Sequence, residues 1–109
     1  MEDSEYSKKI QELQILERNL QSILMQKQAM SIELAETENA LDEVSKSNED
    51  IYKLAGSILI KSDKDKIIKE LEEKKNIISL RIKSIEKQES FIEEKAEEIK
   101  KEAASKIKK

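Results

Sequence analysis

The sequence predicts a mainly α protein in which two long antiparallel coiled-coil helices are joined by one β-hairpin. Three observations carry that expectation: a composition almost free of helix breakers, two stretches of apolar residues in heptads, and between them two short β-prone runs split by the single glycine. Charged residues make up 41% of the 109, aromatics 3%, and there is no proline. Charged and straight-chain residues in that proportion suit long helices rather than a closed globule. With Tyr6, Tyr52 and Phe91 as the only large rings, a sizeable core is out of reach. A chain this small must then find burial against other chains.

The first helix is expected from Ser4 to Lys46. One seam position carries Leu13, Leu20, Lys27, Leu34 and Leu41, and the other Leu16, Ile23, Met30, Thr37 and Val44. Eight of these ten are apolar over about five heptads, a sustained coiled-coil pattern. Ser45, Ser47 and Asn48 supply its end, because short polar side chains compete for the backbone. The second helix is expected over 63–107, starting at Ser62 or Asp63, with Asp65 three residues after Ser62 as a weak capping-box variant. Its seams read Leu71, Ile78, Ile85, Ile92 and Ile99, and Ile68, Lys75, Ile82, Glu89, Ala96 and Ala103. Glu70–Lys74, Glu97–Lys101 and Glu102–Lys106, four apart, are expected to support its surface. Each arm of ~40 residues would extend roughly 60 Å.

Residues 47–62 between the helices differ in kind. Ile51-Tyr52-Lys53-Leu54-Ala55 precedes Gly56-Ser57, and Ile58-Leu59-Ile60-Lys61 follows. Two runs rich in β-branched and aromatic residues around a glycine read as a β-hairpin. The alternatives are a buried helical turn or a plain helix–helix loop, but such loops are usually short and polar. Tyr52 and Leu54 fall on one face, Ile51 and Ala55 on the other, so both faces are partly apolar and both edges open. An isolated hairpin is marginal in water, and one with exposed apolar faces is sticky. Ile51, Tyr52, Leu54, Ile58, Leu59 and Ile60 are therefore candidate oligomerisation residues. The whole of 1–109 is expected to form a single unit.

The seams also give a register. If the helices fold back, Leu41 meets Leu71, Leu34 meets Ile78, Leu20 meets Ile92, Leu13 meets Ile99 and Leu16 meets Ala96. Each pair of residue numbers sums to 112, half of which is Gly56, the expected turn.

Several function classes are excluded. Net charge is −3 with both signs interspersed, whereas nucleic-acid binding needs a basic surplus. Without His, Cys or a glycine-rich phosphate loop, nucleophilic, zinc and nucleotide chemistry lack their parts. The carboxylates read as solvated helix faces. The expectation is a non-enzyme without cofactor or metal. No apolar run approaches the ~18 residues of a membrane span, no apolar signal region opens the chain, and a chain without cysteine fits a reducing compartment. A cytoplasmic protein is expected.

Gln26-Lys27-Gln28 with the helix after it, the tract from Ile51 to Lys61, and Leu80-Arg81-Ile82-Lys83-Ser84-Ile85-Glu86-Lys87-Gln88-Glu89 together resemble β-type prefoldin subunits of archaea. The likeness covers nearly the whole chain, and the hairpin tract is its specific part. One hairpin rather than two points to the β type. The resemblance implies an ATP-independent chaperone subunit in a hexamer of two α and four β chains (α2β4). The hairpins would join into β-barrels as a platform, with six coiled coils below it. Those coiled coils would capture non-native client proteins at their ends and deliver them to a group II chaperonin.

Client-binding candidates are then Tyr6, Ile10, Leu13, Leu16, Ile99, Ala103 and Ile107, with Leu20, Ile92 and Ala96 nearby. Terminal turns fray because they have neighbours on one side only. The alternative is that these are seam residues alone. Met25 and Met30 add adaptable apolar surface. The last ten residues hold five Lys and one Glu. Lys100, Lys101, Lys106, Lys108 and Lys109 suit a helix C-terminus and are read either as a solubilising tail or as a contact with an acidic chaperonin surface. The competing function is a plain coiled-coil spacer, which has no need of a sixteen-residue break with two β-prone runs between its helices.

Overall fold

A computed structural model describes residues 2–107, with side chains from 4 to 105. Helix α1 runs Glu2–Lys46, strands β1 and β2 run Ile51–Ala55 and Ile58–Ser62, and helix α2 runs Lys64–Ile107. The chain divides into two stretches: residues 1–28 with 83–109, and residues 29–82.

In the first stretch the heptad positions meet. Ile23, Ile85, Ala96, Ile99 and Ala103 are buried. Tyr6, Ile10, Leu13, Leu16, Leu20 and Ile92 are half-buried at the same seam. Two seam residues that break the apolar pattern, Lys27 and Glu89, find each other: Nζ of Lys27 lies 3.2 Å from Oε1 of Glu89 and 3.5 Å from Oε2 of Glu86. Lys9 reaches Glu102 at 2.7 Å. Lys9–Glu102 and Lys27–Glu86 each depart by a single residue from the register that pairs Leu20 with Ile92.

The second stretch holds the hairpin and the helix ends that bear it. Ile78, 2% exposed, is the most buried apolar side chain, with Met30, Leu34, Leu41, Val44, Ile68, Leu71 and Ile82 half-buried along the seam. Thr37 is buried although polar, because its Oγ1 donates to the Glu33 carbonyl at 2.8 Å. That bond satisfies the hydroxyl in its buried place. Lys74 pairs with Glu33 at 3.7 Å, and Glu70 takes Lys53 of β1 at 3.1 Å. The expected Glu70–Lys74 pair thus gives way to contacts between elements, where long side chains reach partners that the i,i+4 rule does not count.

Helix α1 ends where the Ser47 amide donates to the Glu43 and Val44 carbonyls. The Ser47 hydroxyl accepts from the Glu49 amide at 3.2 Å, an ST-type turn, and its own carbonyl accepts from Nζ of Lys64 at 2.9 Å. The cap of α2 differs from the expected box. Ser62 closes β2 and its Oγ donates to the Ile60 carbonyl. Asp63 stands at the cap, its carbonyl accepting the first helical bond from Ile67. Strand pairing claimed Ser62 before the helix could.

Candidate functional site

The hairpin is antiparallel, with Ile51 opposite Ser62, Tyr52 opposite Lys61, Lys53 opposite Ile60, Leu54 opposite Leu59 and Ala55 opposite Ile58. Its centre therefore falls between Gly56 and Ser57, half a residue beyond the position expected from the seams. Gly56 has φ of 64° and, among the described residues, no non-glycine residue has positive φ, the pattern of a type II′ turn with glycine first. A Cβ there would meet nothing within 4 Å, so glycine is required by backbone conformation and not by space.

Tyr52, Leu54 and Leu59 share one face with Lys61; Ile58 and Ile60 share the other with Lys53. Their exposure is 57%, 66%, 67%, 64% and 51% in the order Tyr52, Leu54, Leu59, Ile58, Ile60. Ile51, at the root, is half-buried. Lys53 ties β1 to α2 through Glu70, and Lys61 lies 3.6 Å from Asp50. Beside this root an apolar groove of about 350 Å³ is lined by Ala40, Val44, Ile51, Tyr52, Ile67 and Leu71 among others. The expected oligomerisation residues are thus gathered on one two-stranded ribbon, five of the six largely open to solvent.

The candidate client residues lie at the seam of the first stretch. Tyr6, Ile10, Leu13 and Leu16 are half-buried, while Ile99 and Ala103 are each 6% exposed. Lys100 and Lys101 are exposed. The side chains of Lys106 and Ile107, and Lys108 and Lys109 altogether, lie outside the described residues. Met25, read as adaptable apolar surface, is 70% exposed, but sequence reasoning missed the other apolar residues off the seam: Ile15 and Phe91 in the first stretch, and Ile32, Ile77 and Leu80 in the second, are each at least half exposed. Their signal was present, since none sits at a heptad seam position.

Electrostatics is local. The Glu89 carboxylate, accepting a hydrogen bond, holds the Lys27 ammonium above its ordinary value of 10.5; partial desolvation opposes this, and Glu86 adds to it. Lys9 is likewise raised, chiefly by its hydrogen bond to Glu102. Among the described residues no cluster of His, Cys, Asp or Glu could hold a metal ion, and no helix is long and apolar enough to cross a membrane.

Two long helices joined by one exposed two-stranded ribbon define a coiled-coil protein of hairpin-linked type. The chain belongs to the prefoldin family: the family described as "Prefoldin subunit" matches residues 7–109. It is 37% identical over 90 residues to the prefoldin subunit beta of Thermococcus onnurineus, covering 81% of this chain and 78% of that one. It is 38% identical over 88 residues to the prefoldin subunit beta of Archaeoglobus fulgidus, covering 79% and 76%. The crystal structure of the prefoldin beta subunit from Thermococcus strain KS-1 superposes with a TM-score of 0.91 at 30% identity, over 96% of this chain and 94% of that one. The beta2 subunit of the same strain gives 0.71 at 25% identity, over 80% and 95%. The chain is therefore a prefoldin chaperone subunit, not an enzyme, of a kind that assembles with other prefoldin subunits.

Proposed function

We propose that this chain is a β-type subunit of a cytoplasmic α2β4 hexamer that captures non-native proteins at its coiled-coil ends, without ATP, and delivers them to a group II chaperonin. The observation that carries the reading is the ribbon of Tyr52, Leu54, Ile58, Leu59 and Ile60, each more than half exposed. Burying each such side chain contributes on the order of 1.5–3 kcal/mol, enough in sum to drive hairpins of several subunits into a common β-barrel. With Ile51 these form the oligomerisation surface, and assembly consumes them. Apolar contact with clients then falls to the helix ends far in sequence from the hairpin, at Tyr6, Ile10, Leu13, Leu16, Ile99, Ala103 and Ile107, when the terminal turns open. Lys100, Lys101, Lys106, Lys108 and Lys109 supply the contact with an acidic chaperonin surface.

The test is mass measurement of the chain alone and mixed with an α-type prefoldin subunit, followed by aggregation assays on an unrelated denatured protein without nucleotide. A hexamer with two α chains that suppresses aggregation is the expected outcome. A chain that stays monomeric with its α partner, or a hexamer without holding activity, overturns the reading in favour of a spacer.

A further inference from the structure

Alanine at a seam position leaves room that leucine or isoleucine would fill. In the first stretch Ala96 takes such a place, and a groove of about 260 Å³ opens there with Leu16, Leu20 and Ala96 as its apolar lining. Its remaining lining residues are Glu17, Glu93, Glu97 and Lys100, all four exposed. Glu17 and Glu93 both occupy positions flanking the seam, one on each helix, where opposite charges ordinarily face each other to stabilise the pair. Here three carboxylates line one groove, with a single ammonium in return. None of the three is held in an ion pair among the described residues, in contrast to Glu86, Glu89 and Glu102 of the same stretch. A groove of about 260 Å³ with an apolar floor has ample room for one apolar side chain. A second groove in this stretch, lined by Ile15, Leu16 and Ile99, has one acid and one base, Glu12 and Lys95, and so carries no charge preference.

We infer that the groove over Ala96 receives an apolar side chain of a non-native polypeptide at places where that residue is flanked by lysine or arginine. The inference rests on the client-holding reading above and adds to it a substrate class: apolar segments with basic neighbours. The apolar floor supplies contact, and the unpaired carboxylates select the flanks by charge. Because the carboxylates are solvent-exposed, the preference is modest and screened by salt.

The experiment uses the full chain assembled with its α-type partner. Fluorescently labelled unstructured peptides share one Leu-Phe-Leu core flanked by lysines, serines or glutamates, and a fourth carries the lysines without the core. Anisotropy titrations at low salt are expected to rank lysine above serine above glutamate. The lysine-to-glutamate ratio should be about five- to tenfold, the size of one or two exposed ion pairs, and should shrink towards one at high salt. The double variant Glu17→Gln with Glu93→Gln, which removes repulsion and so preserves the helix pair, should collapse the ratio while leaving the serine-flanked peptide bound as before. Equal binding of all three core peptides overturns the inference and leaves client holding intact. Binding of the core-free lysine peptide as tightly as its apolar counterpart also overturns it, since the groove then plays no part. Failure of every peptide to bind, with no suppression of aggregation, overturns the holding reading and the inference together.

Discussion

Lys27 occupies a seam position and yet is not a defect, because Glu89, polar at the other seam, and Glu86 accept its ammonium. Polar residues in a seam characteristically fix register at some expense of stability. Because the folded-state value of Lys27 is raised, the pair's contribution is complete below the ordinary value of 10.5 and is lost as pH climbs through the higher folded value. The difference in melting midpoint between the wild type and Lys27→Met is therefore expected to hold steady from neutral pH to about 10 and to change only beyond it. Circular dichroism melts at a series of pH values check this; a difference that already changes between pH 7 and 9 contradicts it. Gly56 gives a second prediction. Its φ of 64° costs an L-residue about 1–2 kcal/mol, and no neighbouring atom adds to that. Gly56→Ala should destabilise by that amount in denaturant unfolding at fixed subunit concentration.

At the scale of the elements, the hairpin and the helix pair are expected to be separable. Leu54→Asp, Ile58→Asp and Ile60→Asp together place charges on the apolar ribbon proposed as the assembly surface. Sedimentation should show loss of the oligomer while far-ultraviolet circular dichroism stays strongly helical; an intact oligomer means the ribbon is not the interface. The register gives a cross-linking test: cysteines at Leu34 and Ile78 should join within one chain, whereas cysteines at Leu34 and Leu71, offset by ~10 Å along the axis, should not. Much of this was legible in the sequence. The heptads named the buried faces correctly, Lys27, Thr37, Lys75 and Glu89 included, all of which are at least half-buried. Two β-prone runs around Gly56 named the hairpin. What could not be read was the choice among partners. Lys53, Lys74 and Lys9 each have several carboxylates within the sweep of a four-carbon stem, and only the packed chain decides between Glu70, Glu33 and Glu102. The candidate client surface was legible as a face but not in its openness, because a heptad says which side is inward and not how far Ala96 fails to fill it.

For the molecule as a whole, holding should depend on several subunits engaging one client at once, since each apolar contact is small. If the hairpins carry assembly and the helix ends carry holding, removing Met1 to Leu13 together with Ala96 to Lys109 is expected to preserve the oligomer and to abolish suppression of aggregation. A truncated assembly that holds clients as well as the intact one places the client site elsewhere along the helices. Changing Lys101, Lys106, Lys108 and Lys109 to Glu, with Lys100 of the groove over Ala96 left in place, should spare holding and weaken chaperonin contact most at low salt, where charge acts furthest. Loss of holding in that variant assigns the lysines to the client instead.

The two tyrosines stand in different surroundings: Tyr52 is 57% exposed on the ribbon, whereas Tyr6 is half-buried near the start of α1. With no tryptophan in the chain, they are its only useful intrinsic fluorophores. Light emitted by Tyr52 therefore reports desolvation of the ribbon, and light from Tyr6 reports events at the opposite end of the sequence. Tyr6→Phe and Tyr52→Phe turn the unlabelled protein into a pair of optical probes, one for the surroundings of the ribbon and one for those of the first turns of α1.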